Sequence, residues 1–106
     1  MSQYFLIESK SPFESTEVSY NYQIASDLAK SGHEVTLFLV ENGVLASRSS
    51  IIPSELANIS PVKVLADNFS LEERGIESSE ISSNIQVSNV TSIVEAMGQG
   101  QKTMWL

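Results

Sequence analysis

Cysteine is absent from this chain, and basic residues, histidine, proline and glycine are all scarce. Without a thiol there is no disulfide, no persulfide or thiolate chemistry, and no cysteine-ligated zinc or iron–sulfur site. Six Lys and Arg stand against thirteen Asp and Glu, giving a net charge of −7. That sign repels phosphate backbones and anionic lipid head groups, so neither nucleic acid nor membrane is an expected partner. The single histidine, His33, leaves a metal no second ligand of its kind, and no metal or cofactor is expected. Neither G-x-G-x-x-G nor G-x-x-x-x-G-K-[ST] occurs, which removes both common phosphate-cradling loops. No apolar run approaches the ~20 residues that cross a bilayer. The opening residues lack a basic segment and reach Glu8 too soon for a signal peptide, so a cytoplasmic protein is expected.

What remains is 106 residues with 42% hydrophobic content, enough for one domain over 1–106. A domain of this size buries only about two-thirds of its unfolded surface, so partner contacts would help it. Tyr4-Phe5-Leu6-Ile7 reads as a buried strand closed by the loop Glu8-Ser9-Lys10-Ser11-Pro12. From Thr16 the period becomes helical through Val18, Tyr22, Ala25 and Ala29, with Ser15 or Thr16 as cap and Gly32 as stop. Val35 to Val40 is apolar almost throughout, the pattern of a strand covered on both faces. Glu41-Asn42-Gly43 is a turn, Ser47 to Ser50 reads as exposed loop, and Val62 to Ala66 as a third strand. A brief helix ends at Gly75, and the Ser-rich stretch from Glu77 to Ser83 reads as a mobile linker. Asn84 to Val87 is a short fourth strand; Val90, Ile93, Val94 and Met97 then share one helix face, and Lys102 to Leu106 forms a last strand. Alternating strands and helices imply an α/β three-layer sandwich with about five mostly parallel strands.

Ligands of such sheets bind at the carboxyl ends of the strands, here Glu8 to Ser11, Glu41 to Gly43 and Asp67 to Ser70. The candidate crevice is therefore Ser11, Asn42, Gly43, Asp67, Asn68, Ser70 and Arg74. Ser70-Leu71-Glu72-Glu73 fits the S-x-x-E capping box, which by itself accounts for Ser70. A nucleophilic or anion-binding Ser70 is the alternative, but His33 lies at the opposite end of the sheet and no base is assigned. Asp67, Glu72, Glu73, Glu77 and Glu80 could face a hard cation or a basic partner, yet no calcium-loop spacing is present and a solvated acidic surface explains them. Trp105 either packs in its own core or meets a neighbouring subunit. No catalytic residue is assigned.

Three stretches in order resemble the DsrE/DsrF/DsrH-like family of small α/β subunits of sulfur-relay systems, which includes the Tus proteins of tRNA thiolation. They are the opening strand with Lys10-Ser11-Pro12-Phe13, the run Val35 to Val44, and the run Val62 to Ile76. Met104-Trp105 is similar to DsrH-type ends. The resemblance implies a DsrE/DsrF-like fold and assembly, either as a homo-oligomer or with DsrE-like paralogues. In active members a cysteine just before the R-G turn carries sulfur as a persulfide; here Ser70, or Asp67 under the TusD-like spacing, stands in that place. Neither forms a persulfide. The expected function is a non-catalytic binding or assembly subunit related to sulfur relay. A small-molecule-binding domain or divergent enzyme using the strand-end crevice is the alternative.

Overall fold

Side-chain alternation along the strands sorts the apolar residues into two cores. Leu6, Leu37, Val64 and Ile85 face one side of the sheet, and Phe5, Ile7, Phe38 and Leu65 the other. In the computed structural model, which describes residues 2–106, strands β1 (Gln3–Glu8), β2 (Glu34–Leu39), β3 (Lys63–Asp67), β4 (Ile85–Ser88) and β5 (Lys102–Trp105) form one sheet. Its order is β4-β3-β2-β1-β5, and every neighbouring pair is parallel. The chain is an α/β sandwich with a five-stranded parallel sheet, as its alternating pattern implies.

The order of the strands explains an uneven distribution of helices. The connections β1→β2→β3→β4 step in one direction, and β4→β5 returns across the sheet to the far side of β1. Crossovers of one hand that step in opposite directions lie on opposite faces. The first face thus receives α1 (Glu17–Lys30), the 3-10 segment Glu41–Ser47, α2 (Ser54–Ala57) and Leu71 of α3 (Asn68–Glu73), packed over the larger core. The second face receives α4 (Thr91–Gly98), which seats Ile93 and Ala96 on Phe5, Ile7, Phe38, Val40 and Leu65.

Several local expectations are corrected. Only Ile93 of the four residues assigned to one face of α4 turns inward; Val90, Val94 and Met97 are exposed, because the sheet lies under the Ile93–Ala96 side. Of the stretch Ser47 to Ser50, Ser49 and Ser50 are exposed as expected, but Ser47 is fully buried, its hydroxyl donating to the Val44 carbonyl at 2.6 Å, and Arg48 bridges to Ile81. That bridge also ties down the expected linker, where Ser78–Glu80 makes a 3-10 turn closed by a reciprocal Glu77–Glu80 capping box. The four-residue α2 gives no periodic signal in the sequence. At α1 it is Ser15 that accepts from an amide, that of Glu17 at 3.3 Å, while the Thr16 side chain caps nothing. The helix ends where expected, with Gly32 at φ 93° in the left-handed region that glycine adopts freely.

Candidate functional site

Asp67 closes β3 and opens α3 as its N-cap, its Oδ2 accepting from the Ser70 amide at 3.0 Å. The capping box proposed for Ser70 and Glu73 is therefore not the one that forms. Two overlapping cap signals, Asp67-x-x-Ser70 and Ser70-x-x-Glu73, lie one turn apart, and the helix begins at the earlier. Ser70 sits inside the first turn, 3% exposed. Its hydroxyl donates to Asp67 Oδ2 at 2.7 Å and accepts from the Glu41 amide at 2.8 Å. Glu41 leaves β2 at φ 49°, a left-handed backbone unusual for a residue with a side chain, and Ser70 helps hold it. Asp67 Oδ1 is buried without a hydrogen-bond partner.

Arg74 ties α3 to the segment after β2. Its Nε and Nη2 both donate to Asn42 Oδ1, at 3.2 and 3.0 Å, and Nη1 donates to the Ser70 carbonyl at 3.1 Å. Gly43 sits where a Cβ would lie 2.4 Å from the Glu8 carbonyl oxygen, so the close approach of this segment to β1 requires glycine. The Glu8 carboxylate is itself fully buried, accepting from Asn21 Nδ2 at 2.7 Å and from the Lys10 amide at 3.1 Å. Beside this locked cluster, at the carboxyl ends of β2, β3 and β5, lies a recess of about 570 Å³. Asp67, Ser70, Glu41, Glu73 and Arg74 supply its polar wall, and Val40, Phe69, Val90, Ile93 and Trp105 its apolar one. Three carboxylates against one guanidinium make it acidic. Among the described residues, no group of three or more His, Asp or Glu side chains is placed to hold a metal ion.

The sequence model described as "DsrE/DsrF-like family" matches residues 2–106. The chain belongs to the DsrE/DsrF-like family. Solved structures agree on the fold. The ychN protein from E. coli superposes with TM-score 0.81 at 16% identity, covering 98% of this chain and 99% of its own. BT1422 from Bacteroides thetaiotaomicron, a conserved protein of unknown function, gives 0.77 at 17% identity, with 99% and 95% covered. MTH1491 from Methanobacterium thermoautotrophicum, also of unknown function, gives 0.71 at 19%, with 99% and 98% covered. At these identities the likeness establishes the fold alone. No curated protein matches the chain.

In this DsrE/DsrF-like chain the recess brings together three of the seven expected crevice residues, Asp67, Ser70 and Arg74. Asn42 stands behind Arg74 as its acceptor, and Gly43 is a packing glycine against β1. Ser11 is buried in the β1–α1 loop, where its hydroxyl accepts from the Phe13 amide at 3.0 Å. Asn68 turns toward Glu72 and lines a separate polar depression with Gly75, Glu77 and Ser78. Glu41 and Phe69 also line the recess and lie within the strand-end stretches, though neither is among the expected crevice residues, while Val40, Glu73, Val90, Ile93 and Trp105 are recess residues that the strand-end rule missed. Trp105 is brought there by sheet pairing and not by any local signal: the last strand runs parallel beside β1 with Trp105 opposite Ile7, and so delivers the indole to the same sheet end. It is 61% exposed, which removes the own-core alternative. His33 lies at the amino end of β2, as expected, with Nδ1 accepting from the Ser2 amide at 3.1 Å. Among the described residues, no helix is long and apolar enough to cross a membrane.

Proposed function

We propose that this chain is a non-catalytic binding and assembly subunit related to sulfur relay, acting in the cytoplasm with copies of itself or with cysteine-bearing paralogues. Membership of the DsrE/DsrF-like family supports the link to sulfur relay. The observation that carries the non-catalytic part is Ser70. It is, with Asp67, one of the two positions where the resemblance places the sulfur carrier, yet its hydroxyl is buried and engaged as both donor and acceptor. A hydroxyl is also far less acidic than a thiol of pKa ~8.5 and forms no persulfide. Sulfur has no side chain here on which to ride. The remaining capacity is for contact, through an acidic recess with an exposed apolar rim. The test is sedimentation velocity of the chain alone and mixed with a cysteine-bearing DsrE-family chain from the same cells. A stable complex is expected; a chain that stays monomeric at high concentration and ignores relay proteins defeats the reading.

A second reading, a small-molecule site or divergent enzyme, is favoured by one observation. Asp67 lines the recess and keeps a buried carboxylate oxygen without a partner, a group whose burial costs free energy unless something satisfies it. Trp105 is the sole tryptophan and lines the same recess, so its emission reports occupancy directly. A metabolite pool from the source cells that shifts this emission in the wild type but not in Asp67→Asn would favour that reading over pure assembly.

A further inference from the structure

At the recess an unsatisfied buried group, a surplus of negative charge and an open aromatic surface coincide. Three buried side-chain atoms lack a hydrogen-bond partner among the described residues, Tyr22 Oη, Arg48 Nε and Asp67 Oδ1, and of these residues only Asp67 lines the recess. Strand alternation aims it there. Along β3, Val64 and Ala66 face the side of α1, so Leu65 and Asp67 face the side of α4. Val40, Ile93 and Trp105, the last opposite Ile7, lie on that same side. Asp67 Oδ2 is turned back onto the Ser70 amide and hydroxyl, which leaves Oδ1 as the open acceptor of a residue only 3% exposed. A buried acceptor left unanswered costs free energy, and a donor entering from the recess removes that cost.

Charge fixes the sign of what enters. Glu41, Asp67 and Glu73 oppose Arg74 alone, three carboxylates against one guanidinium. Arg74 is itself turned to protein partners: Nε and Nη2 to Asn42, Nη1 to the Ser70 carbonyl, with the Glu73 carboxylate 3.7 Å from Nη1. An anion would meet carboxylates and an engaged guanidinium. A bare metal ion finds no group of three ligands among the described residues, and it would leave the aromatic wall unused. The donor that Oδ1 lacks binds a carboxylate most strongly when it sits on a cationic nitrogen. Phe69 and Trp105, 64% and 61% exposed, supply ring surface that attracts both a cation and an apolar body. The volume of about 570 Å³ falls within the ~300–1,000 Å³ of small-molecule sites.

We propose that the recess binds a small protonated amine with an apolar or aromatic body, its N–H donated to the free oxygen of Asp67 and its body laid against Trp105 and Phe69. The inference rests on the small-molecule reading above and supplies the class of ligand.

The test titrates four probes of one shape into the full chain, read by Trp105 emission and by calorimetry: phenethylamine, its N-trimethyl cation, 2-phenylethanol and phenylacetate. Phenethylamine should bind at least about tenfold more tightly than the alcohol or the anion, and about threefold more tightly than the trimethyl cation, which keeps the charge without an N–H. Asp67→Asn keeps a good N-cap residue for α3, and should weaken phenethylamine at least about tenfold with an unchanged circular dichroism spectrum. Glu73→Gln removes one recess charge but leaves Oδ1 in place, and should weaken it only about two- to threefold. Equal losses in the two variants overturn the proposal. So does equal binding of amine and alcohol by the wild type, an outcome that does not depend on any variant folding. If no probe binds while a metabolite pool from the source cells shifts Trp105 emission in the wild type but not in Asp67→Asn, the amine falls and the small-molecule reading stands. Silence of both probes and pool overturns the two together.

Discussion

Gly43→Ala isolates a single steric contact. The backbone at Gly43 is not in the left-handed region, so alanine meets no conformational penalty there, and its smaller unfolded-state entropy would by itself add ~0.5–1 kcal/mol of stability. Against this stands the new methyl, 2.4 Å from the Glu8 carbonyl oxygen and 3.3 Å from its carbon. Neither atom is at the end of a flexible side chain. Moving the Glu8 carbonyl also disturbs the bond it accepts from the Val40 amide at 3.0 Å, which joins the ends of β1 and β2. Overpacking costs ~1–3 kcal/mol and a weakened hydrogen bond ~1 kcal/mol. The net expectation is a loss of about 2 kcal/mol, or about 8–16 °C in Tm for a domain of this size. Thermal and urea unfolding followed by far-UV circular dichroism at one fixed protein concentration reads it. Gly98→Ala is the control, since nothing lies within 4 Å of its Cβ position, and it should be neutral or stabilising. A Gly43→Ala protein as stable as Gly98→Ala would refute the claim that this glycine serves packing and not a ligand.

Three further outcomes follow from the same geometry. Ser70→Ala removes the acceptor for the Glu41 amide and a donor to Asp67, and should cost ~1–3 kcal/mol in urea unfolding; a neutral result would mean those bonds contribute nothing. Ser70→Cys, folded, should react with a thiol reagent far more slowly than the same protein in urea, because the position is shielded; equal rates would contradict the locked geometry. Burial, and then the nearby Glu8 and Glu55 carboxylates, push the Tyr22 phenol above its ordinary pKa of 10.0, and its hydroxyl has no partner. The unfolded chain therefore loses this proton first, so stability is full below about pH 10 and falls above it, by up to ~1.4 kcal/mol per pH unit. Tyr22→Phe should be neutral or slightly stabilising at pH 7 and decline less steeply between pH 9 and 11; parallel declines would exclude the assignment.

The central strands were legible because β1, β2 and β3 are short, mainly apolar runs bounded by turn residues, while the edge strands β4 and β5 are half polar and were placed by the turns and helix beside them. The side of α4 that meets the sheet was not legible. Spacing shows that Val90, Ile93, Val94 and Met97 can share a stripe, but not which part of the helix the sheet occupies; that depends on the return of β5 to the far edge of β1. At the site, the sequence places Asp67 and Ser70 together at a strand end, but it is Asp67 that caps the helix, with Ser70 in the first turn and not the cap expected of it. Trp105 enters the recess only through pairing with β1, across nearly the whole chain, which no local pattern encodes. Ser47 and Arg48 were misassigned for a similar reason: they pair with a distant segment, Arg48 bridging to Ile81 and the Ser47 carbonyl accepting from the Ser82 amide.

Native mass spectrometry of the untagged protein, purified gently from its own cells, tests the central claim most directly. The account predicts a complex, of this chain with itself or with a cysteine-bearing relative, in which the mass of this chain is that of its unmodified sequence. A monomer without partner, or a chain carrying added sulfur, would contradict it.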